Sequence, residues 1–455
     1  MSQLSQELGT ENISKLLIKQ SLPASVGFLI MSIYSIVDTI YVGHWIGPLA
    51  IGAITVVMPI TFLISSIGMA IGVGGASIIT RALGGKDRKR ALKTFGNMVN
   101  LTLHFAIVLV IIGFILDDEI LRLFGGKGDI LPYAKEYFRV LLVGVPFLAW
   151  AMMSNNVIRA QGRPKVAMLV MVIPAIINII LDPIFIIVFK MGLAGAAWAT
   201  TISYFISASY AIYYFLKGDT EINFIFKYFK LDLGLIREIF AIGSITLARQ
   251  GSISLLIVVL NHSLYFYAGE MGITVYGIVN RVMMFALFPI IGIVQGFLPI
   301  AGYNYGANKT YRVKLSINTS IRYAMVLATC ILIVIFVFSD KVVTAFTTDA
   351  SLINDSSFAL IFVFMMSPLI AVQMVGSGYF QAIGKALPAL LLTMTKQGFF
   401  LIPLVLILPK FYGVNGIWYS FPIADILSAS VTWFFLQKEI KNNLLFQPGS
   451  IANTA

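Results

Sequence analysis

A single cysteine, Cys330, leaves no partner for an intramolecular disulfide and no thiolate cluster for zinc or iron–sulfur chemistry. Histidine is almost as scarce. His44, His104 and His262 lie far apart, and no His-Glu-x-x-His pairing accompanies them, which excludes the common metallohydrolase arrangement. Charge is short as well: Asp, Glu, Lys and Arg make up 11% of 455 residues, well under the roughly one quarter usual for soluble domains. A water-facing surface of ordinary extent is therefore excluded. A phosphate loop is lacking too. Gly72-Val-Gly-Gly-Ala-Ser lies inside an apolar run without the Lys-Ser/Thr step, and Leu83-Gly84-Gly85-Lys86 lacks the glycine five positions before Gly85. Small residues in such a run suit close helix packing instead.

What the chain has in quantity is apolar length. Hydrophobic residues are 58% of the total. Twelve runs are each long enough to cross a hydrocarbon core: 17–43, 50–80, 94–116, 133–157, 166–189, 192–216, 239–268, 273–301, 316–338, 357–381, 387–409 and 414–437. The predicted fold is an all-α membrane protein of twelve transmembrane helices. A polar N-terminus leads directly into the first span, so no cleavable signal is expected.

The net charge of +12 does not imply nucleic acid, because of where the bases sit. With both termini placed in the cytoplasm, 21 of the 32 Lys and Arg residues fall on inner segments and seven on outer ones. That is the positive-inside pattern of a multi-pass protein. Acids of the outer loops (Asp117, Asp118, Glu119, Asp129, Asp340, Asp349 and Asp355) are compatible with it.

The back half repeats the front. Gly47 falls on Gly269, Gly74 on Gly296, Pro146 on Pro368 and Gly162 on Gly384 at an offset of 222. Gly192 falls on Gly413 and Ser207-Ala208-Ser209 on Ser428-Ala429-Ser430 at 221. Six spans per copy give both copies the same orientation, hence two parallel, pseudo-symmetric six-helix bundles shaped as inverted-V lobes. The expected division is a first lobe over 1–216, a cytoplasmic linker over 217–238 and a second lobe over 239–455. The linker is expected to lie on the membrane face through Phe224, Ile225, Phe226, Tyr228 and Phe229. Cys330, mid-span, is expected to be buried.

Charges left inside the spans break the symmetry. A charge at the bilayer centre costs about 2.5–3.5 kcal/mol on insertion scales, so such groups face a partner, a cavity or water. Arg322 is close enough to an inner loop to snorkel, and Arg249 stands between snorkelling and function. Asp38 lies late in the first span, and its repeat mate is Leu260. Asn178 and Asp182 are four apart, hence on one helix face, and can offer an amide oxygen and a carboxylate together. Pro174 and Pro183 free neighbouring carbonyls. Oxygen ligands suit a hard cation, and a buried carboxylate without a basic partner suits a proton, so Asp38 and Asp182 read as a coupling-ion site for H⁺ or Na⁺. Arg281 stands where the first copy has Pro59, Lys396 where it has Pro174, and Asp425 where it has Tyr204. A Lys396–Asp425 ion pair is one static explanation of the last two.

With these residues in view, the chain resembles the multidrug and toxic compound extrusion (MATE) family, in its DinF-like or related multidrug branch. The resemblance rests on the doubled six-helix plan, on Asp38, on Arg159-Ala-Gln-Gly-Arg-Pro164 and on Gln295-Gly-Phe-Leu-Pro-Ile-Ala-Gly-Tyr-Asn-Tyr-Gly-Ala307. It implies a coupling-ion site at Asp38, Asn155, Asn178, Asp182 and Thr200, with Na⁺, where used, held by Asp38, Asn178 and Asp182. It places Tyr34, Asp38 and Arg281 near substrate. It implies a monomeric antiporter of a prokaryotic inner membrane, with no cofactor beyond the coupling ion. Its partners would be the lipid bilayer and amphipathic, often cationic, small molecules. An exporter or flippase of lipid-linked metabolites on the same plan is the alternative. Neither catalysis nor nucleic-acid binding is expected.

Overall fold

A computed structural model describes residues 3–218 and 220–444; Asp219 of the expected linker and the two chain ends, 1–2 and 445–455, lie outside the described residues. The described chain is helical throughout and has no strand. In order, the helices are α1 (Gln3–Thr10), α2 (Ile13–Trp45), α3 (Pro48–Gly84), α4 (Arg88–Ile115), α5 (Asp117–Leu123), α6 (Ile130–Ala160), α7 (Pro164–Pro183) and α8 (Gly192–Lys217). The second half contains α9 (Leu233–Gly306), α10 (Thr310–Thr344), α11 (Ala350–Phe364), α12 (Ser367–Ala382), α13 (Ala386–Met394), α14 (Ile402–Ile407), α15 (Pro409–Tyr412) and α16 (Val414–Glu439).

Nine helices among the described residues are long and apolar enough to cross a membrane. The twelve predicted spans follow from three features. First, the 74-residue α9 is two spans end to end, interrupted at Gly269 with φ 63° and ψ −153°. Only glycine takes that conformation without strain. Second, α11 and α12 meet at a 46° bend and form one broken span. Third, α8 is less apolar because Thr200, Thr201, Ser203 and Ser207 are buried along it.

Backbone geometry repeats with the sequence. Gly47 (φ 113°) matches Gly269 (φ 63°), and Lys86 (φ 60°) matches Asn308 (φ 57°). Gly162 (φ 76°) likewise matches Gly384 (φ 84°), and Gly192 and Gly413 are both at φ 59°. Each copy therefore turns its chain in the same hand at these four places.

The chain forms two compact units, one of Met1–Glu7 with Val26–Thr246 and the other of Leu8–Ser25 with Leu247–Ala455. The beginning of each copy's first span belongs to the unit built mainly by the other copy. In the first unit Gly74 of α3 lies against α9, where an added Cβ would be 2.1 Å from the Ile239 carbonyl oxygen. In the second unit its mate Gly296 lies against α2, where a Cβ would be 2.3 Å from Ser21 Oγ. Gly243 against Ala70 and Gly292 against Ser25 repeat the exchange.

Two expectations are corrected. The segment after α8 is not an amphipathic strip free on a membrane face. Phe224 sits among Phe95, Phe215 and Trp150, with ring centroids 5.5, 6.0 and 5.9 Å away. Asn100 donates to the Phe229 carbonyl, Asn97 donates to the Lys230 carbonyl at 3.3 Å, and the Asp232 N–H donates to Asn97 Oδ1 at 2.8 Å. Burying the aromatic ring and pairing the backbone both favour docking onto α4. Cys330 is exposed on α10 rather than buried, since its helix face turns away from the unit's core.

Candidate functional site

Three helices of the first unit each contribute a pair of polar side chains four residues apart, so each pair shares one helix face. Tyr34 and Asp38 come from α2, Asn178 and Asp182 from α7, and Thr200 and Tyr204 from α8. Tyr137, buried on α6, completes the group. Locally, α7 ends at Pro183 just after Asp182 and continues as a π-helical turn over Ile184–Val188. Such turns leave carbonyls less fully paired and recur at functional sites.

The side chains converge. The carboxyl groups of Asp38 and Asp182 face each other, and the Tyr34 hydroxyl lies near that of Tyr204. Tyr137 feels the charges of both acids. Asp182 is fully buried, whereas Asp38 is half-buried and its Oδ1 has no hydrogen-bond partner. Two facing carboxylates repel each other unless a proton or another cation neutralises one of them. With its amide turned to satisfy its neighbours, Asn178 donates from Nδ2 to Asp182 Oδ2 at 2.8 Å. Its Oδ1 then accepts from Thr200 Oγ1 at 3.1 Å and from the Thr200 N–H at 3.2 Å. Asn178 thus links α7 to α8 and points its NH₂, not its oxygen, at the acid. In the opposite turn of the amide, Nδ2 donates to Thr200 Oγ1 at 3.1 Å and the oxygen faces Asp182, the pairing of amide oxygen with carboxylate expected from the sequence.

The structure therefore brings together Tyr34, Asp38, Asn178, Asp182 and Thr200, all anticipated, and adds Tyr137 and Tyr204. Asn155 departs from expectation. It donates to the Ala167 carbonyl at 2.5 Å and accepts from Arg159 Nη2 at 3.1 Å, so its amide joins α6 to α7 and steadies a buried arginine. No group of three or more His, Cys, Asp or Glu among the described residues could hold a metal ion.

In the second unit, Lys396 Nζ lies 2.6 Å from Asp425 Oδ1, an ion pair in which the acid is fully buried. Arg281 is exposed on α9 and Arg249 is half-buried there; neither forms an ion pair with a described acid. On the loop side after α4, Asp117 is buried and accepts from Arg139 Nε at 2.5 Å, with Lys135 Nζ at 3.3 Å. Lys135 also pairs with Asp118 at 2.6 Å. These two acids serve as a clasp onto α6 as well as loop charge.

A duplicated bundle of helices long and apolar enough to cross a membrane, with facing carboxyl groups inside it, defines a class, that of membrane transporters. The particular family follows from comparison: the MatE family model matches residues 23–184 and again 245–407, once per repeat, and the chain belongs to that MATE transporter family. It is 30% identical over 419 residues to the multidrug export protein MepA of Staphylococcus aureus strain N315, covering 92% of each chain. It is 29% identical over 441 residues to MepA of Staphylococcus haemolyticus, covering 97% of this chain and 96% of that one. Among solved structures it is similar to a multidrug resistance MATE family transporter in its outward-facing conformation. That match has a TM-score of 0.91 and 26% identity, and covers 97% of this chain and 98% of the other. A transporter from Pyrococcus furiosus, described as having a binding pocket of reverse polarity, matches with a TM-score of 0.90 at 26% identity and the same coverage.

Proposed function

We propose that this MATE transporter is a proton-driven exporter of amphipathic, cationic organic compounds, acting as an antiporter in a bacterial plasma membrane with both termini in the cytoplasm. The facing Asp38–Asp182 pair carries the reading, because two buried acids that need cations to neutralise them are a device for taking up and releasing those cations. The relatives named as multidrug export proteins support export of drug-like compounds, and a pair of acids suits cationic ones among them. With its NH₂ toward Asp182, Asn178 suits H⁺ on the pair; the opposite turn of the amide would offer an oxygen to a metal ion instead.

In the proposed cycle Asp38 and Asp182 each accept a proton from outside. Neutral acids no longer repel one another or hold a cationic compound, so the compound leaves. Proton release inward restores the charge and with it the affinity for the next cargo molecule. Export tied to uptake follows if proton and cargo exclude each other from the charged state. The helix carrying Asp38 has Pro23 and Gly27 on either side of the boundary between the two units, at Ser25 and Val26, and is suited to bend there.

The test is Asp182→Asn, reconstituted at normal expression. Dye binding should persist while proton-dependent exchange is lost; retention of the wild-type proton dependence would contradict the reading. A second reading, export or flipping of an anionic lipid-linked metabolite, is favoured by Arg249 and Arg281, cations with no paired acid among the described residues. Stimulated movement of a phosphate-bearing amphiphile, abolished by Arg281→Gln and indifferent to Asp38→Asn, would select it.

A further inference from the structure

Asp425 stands in the second repeat at the position of Tyr204, a member of the first repeat's acid site, and its partner Lys396 stands at the position of Pro174, on the span that carries Asp182 in the first copy. In the first copy the fifth and sixth spans, α7 and α8, are joined through Asn178 and Thr200, with Tyr204 beside Asp38. In the second copy the eleventh span carries Lys396, at the position of Pro174, and the twelfth carries Asp425, at the position of Tyr204. The backbone is reshaped there as it is near Asp182. A π-helical segment, Thr395–Leu401, interrupts α13 and α14, holds Lys396 and packs on α16. Pro422 lies inside α16 three residues before Asp425.

No second acid balances the pair. The mate of Asp38 is Leu260, fully buried, and the positions facing Asp182 in the alignment of copies are Pro403 and Leu404. Asp425 is fully buried, Lys396 is 13% exposed, and apart from Lys396 no hydrogen-bond donor among the described residues reaches the carboxylate. Thr393, one turn before Lys396, is buried with its Oγ1 unpartnered, an oxygen without a donor or a cation to serve. A fully buried carboxylate needs a counter-ion. Here a primary ammonium on a flexible four-carbon stem, itself a monovalent cation, supplies it.

We propose that Lys396 is a tethered cation filling a latent monovalent-cation site built on Asp425, the second repeat's counterpart of the acid site, and that removing the ammonium opens this site to a small free cation. The inference takes from the proposed ion site only its place in the repeat. It explains how a duplicated transporter keeps one ion cycle: the second site carries its cation permanently and does not exchange it.

The test is the thermal unfolding of detergent-solubilised Lys396→Ala in NaCl, methylammonium chloride or choline chloride at equal ionic strength. Choline is too large for the space left by one lysine side chain. Na⁺, methylammonium or both should raise the midpoint by a few degrees, saturably, as binding to the folded state alone requires. The rise should vanish in Lys396→Ala/Asp425→Asn. Equal midpoints in all three salts would overturn the proposal. So would a cation effect that survives Asp425→Asn, since that effect belongs to the first repeat's acids. If Lys396→Ala is not recovered folded in choline, recovery in NaCl or methylammonium chloride supports the proposal, and failure in all three salts overturns it.

Discussion

At the scale of single residues, function rests on how few charges the membrane spans keep and on what each one faces. Asp182 is buried between Asp38 and the Asn178 amide, so its carboxyl is solvated by protein groups alone. Replacing Asn178 by leucine removes the donor to Asp182 and leaves Thr200 without its acceptor. Unpaired buried polar groups cost about 1–3 kcal/mol each, so a tenfold or greater loss of exchange rate is expected in proteoliposomes, with Asn178→Asp less impaired than leucine. Unchanged rates in Asn178→Leu would deny the amide a role. Asp38 and Asp182 were legible in the sequence because an acid among apolar residues stands out. Tyr137 and Tyr204 were not, since a neutral, amphipathic tyrosine is ordinary in a span and only folding brings it near the acids. The partners of Asn155, Arg159 and the Ala167 carbonyl, follow from how α6 meets α7, which its place in the sequence does not give.

At the scale of elements, close approaches at glycine and one charged clasp hold each unit. Gly74→Leu would drive a side chain into the Ile239 carbonyl, and Gly296→Leu into Ser21. Overpacking of this kind costs about 1–3 kcal/mol or more, so both variants should unfold at lower temperature, and by similar amounts because the two sites are repeat mates. A large effect at one site alone would argue against equivalent packing. The Asp117 clasp makes a prediction about pH. Burial alone would raise the Asp117 carboxyl, but hydrogen bonds and charge from Arg139 and Lys135 outweigh it and hold the carboxyl below its usual value. A carboxyl lowered in the folded state contributes stability that is complete above its unfolded value, about 4, and is lost as pH falls through the folded one. The melting temperature should therefore drop on acidification below about pH 4, and drop less in Asp117→Asn. The paired positive-φ turns confirm that the repeat seen in the sequence is a repeat of backbone path. The exchange of first-span ends between units had no sequence signal, because those ends are apolar on either assignment.

For the whole molecule, duplication supplies two similar frames and substitution gives them different work. One frame carries facing acids; the other carries an acid already joined to a lysine. The proposed coupling of export to a cation gradient by the Asp38–Asp182 pair, with H⁺ as the cation, is tested by efflux of a fluorescent cationic dye from proteoliposomes under separately imposed H⁺ and Na⁺ gradients, for the wild type and for Asp38→Asn. The H⁺ gradient should drive efflux in the wild type, the Na⁺ gradient should not, and Asp38→Asn should abolish the driven component. Undiminished gradient-driven efflux in Asp38→Asn would contradict it.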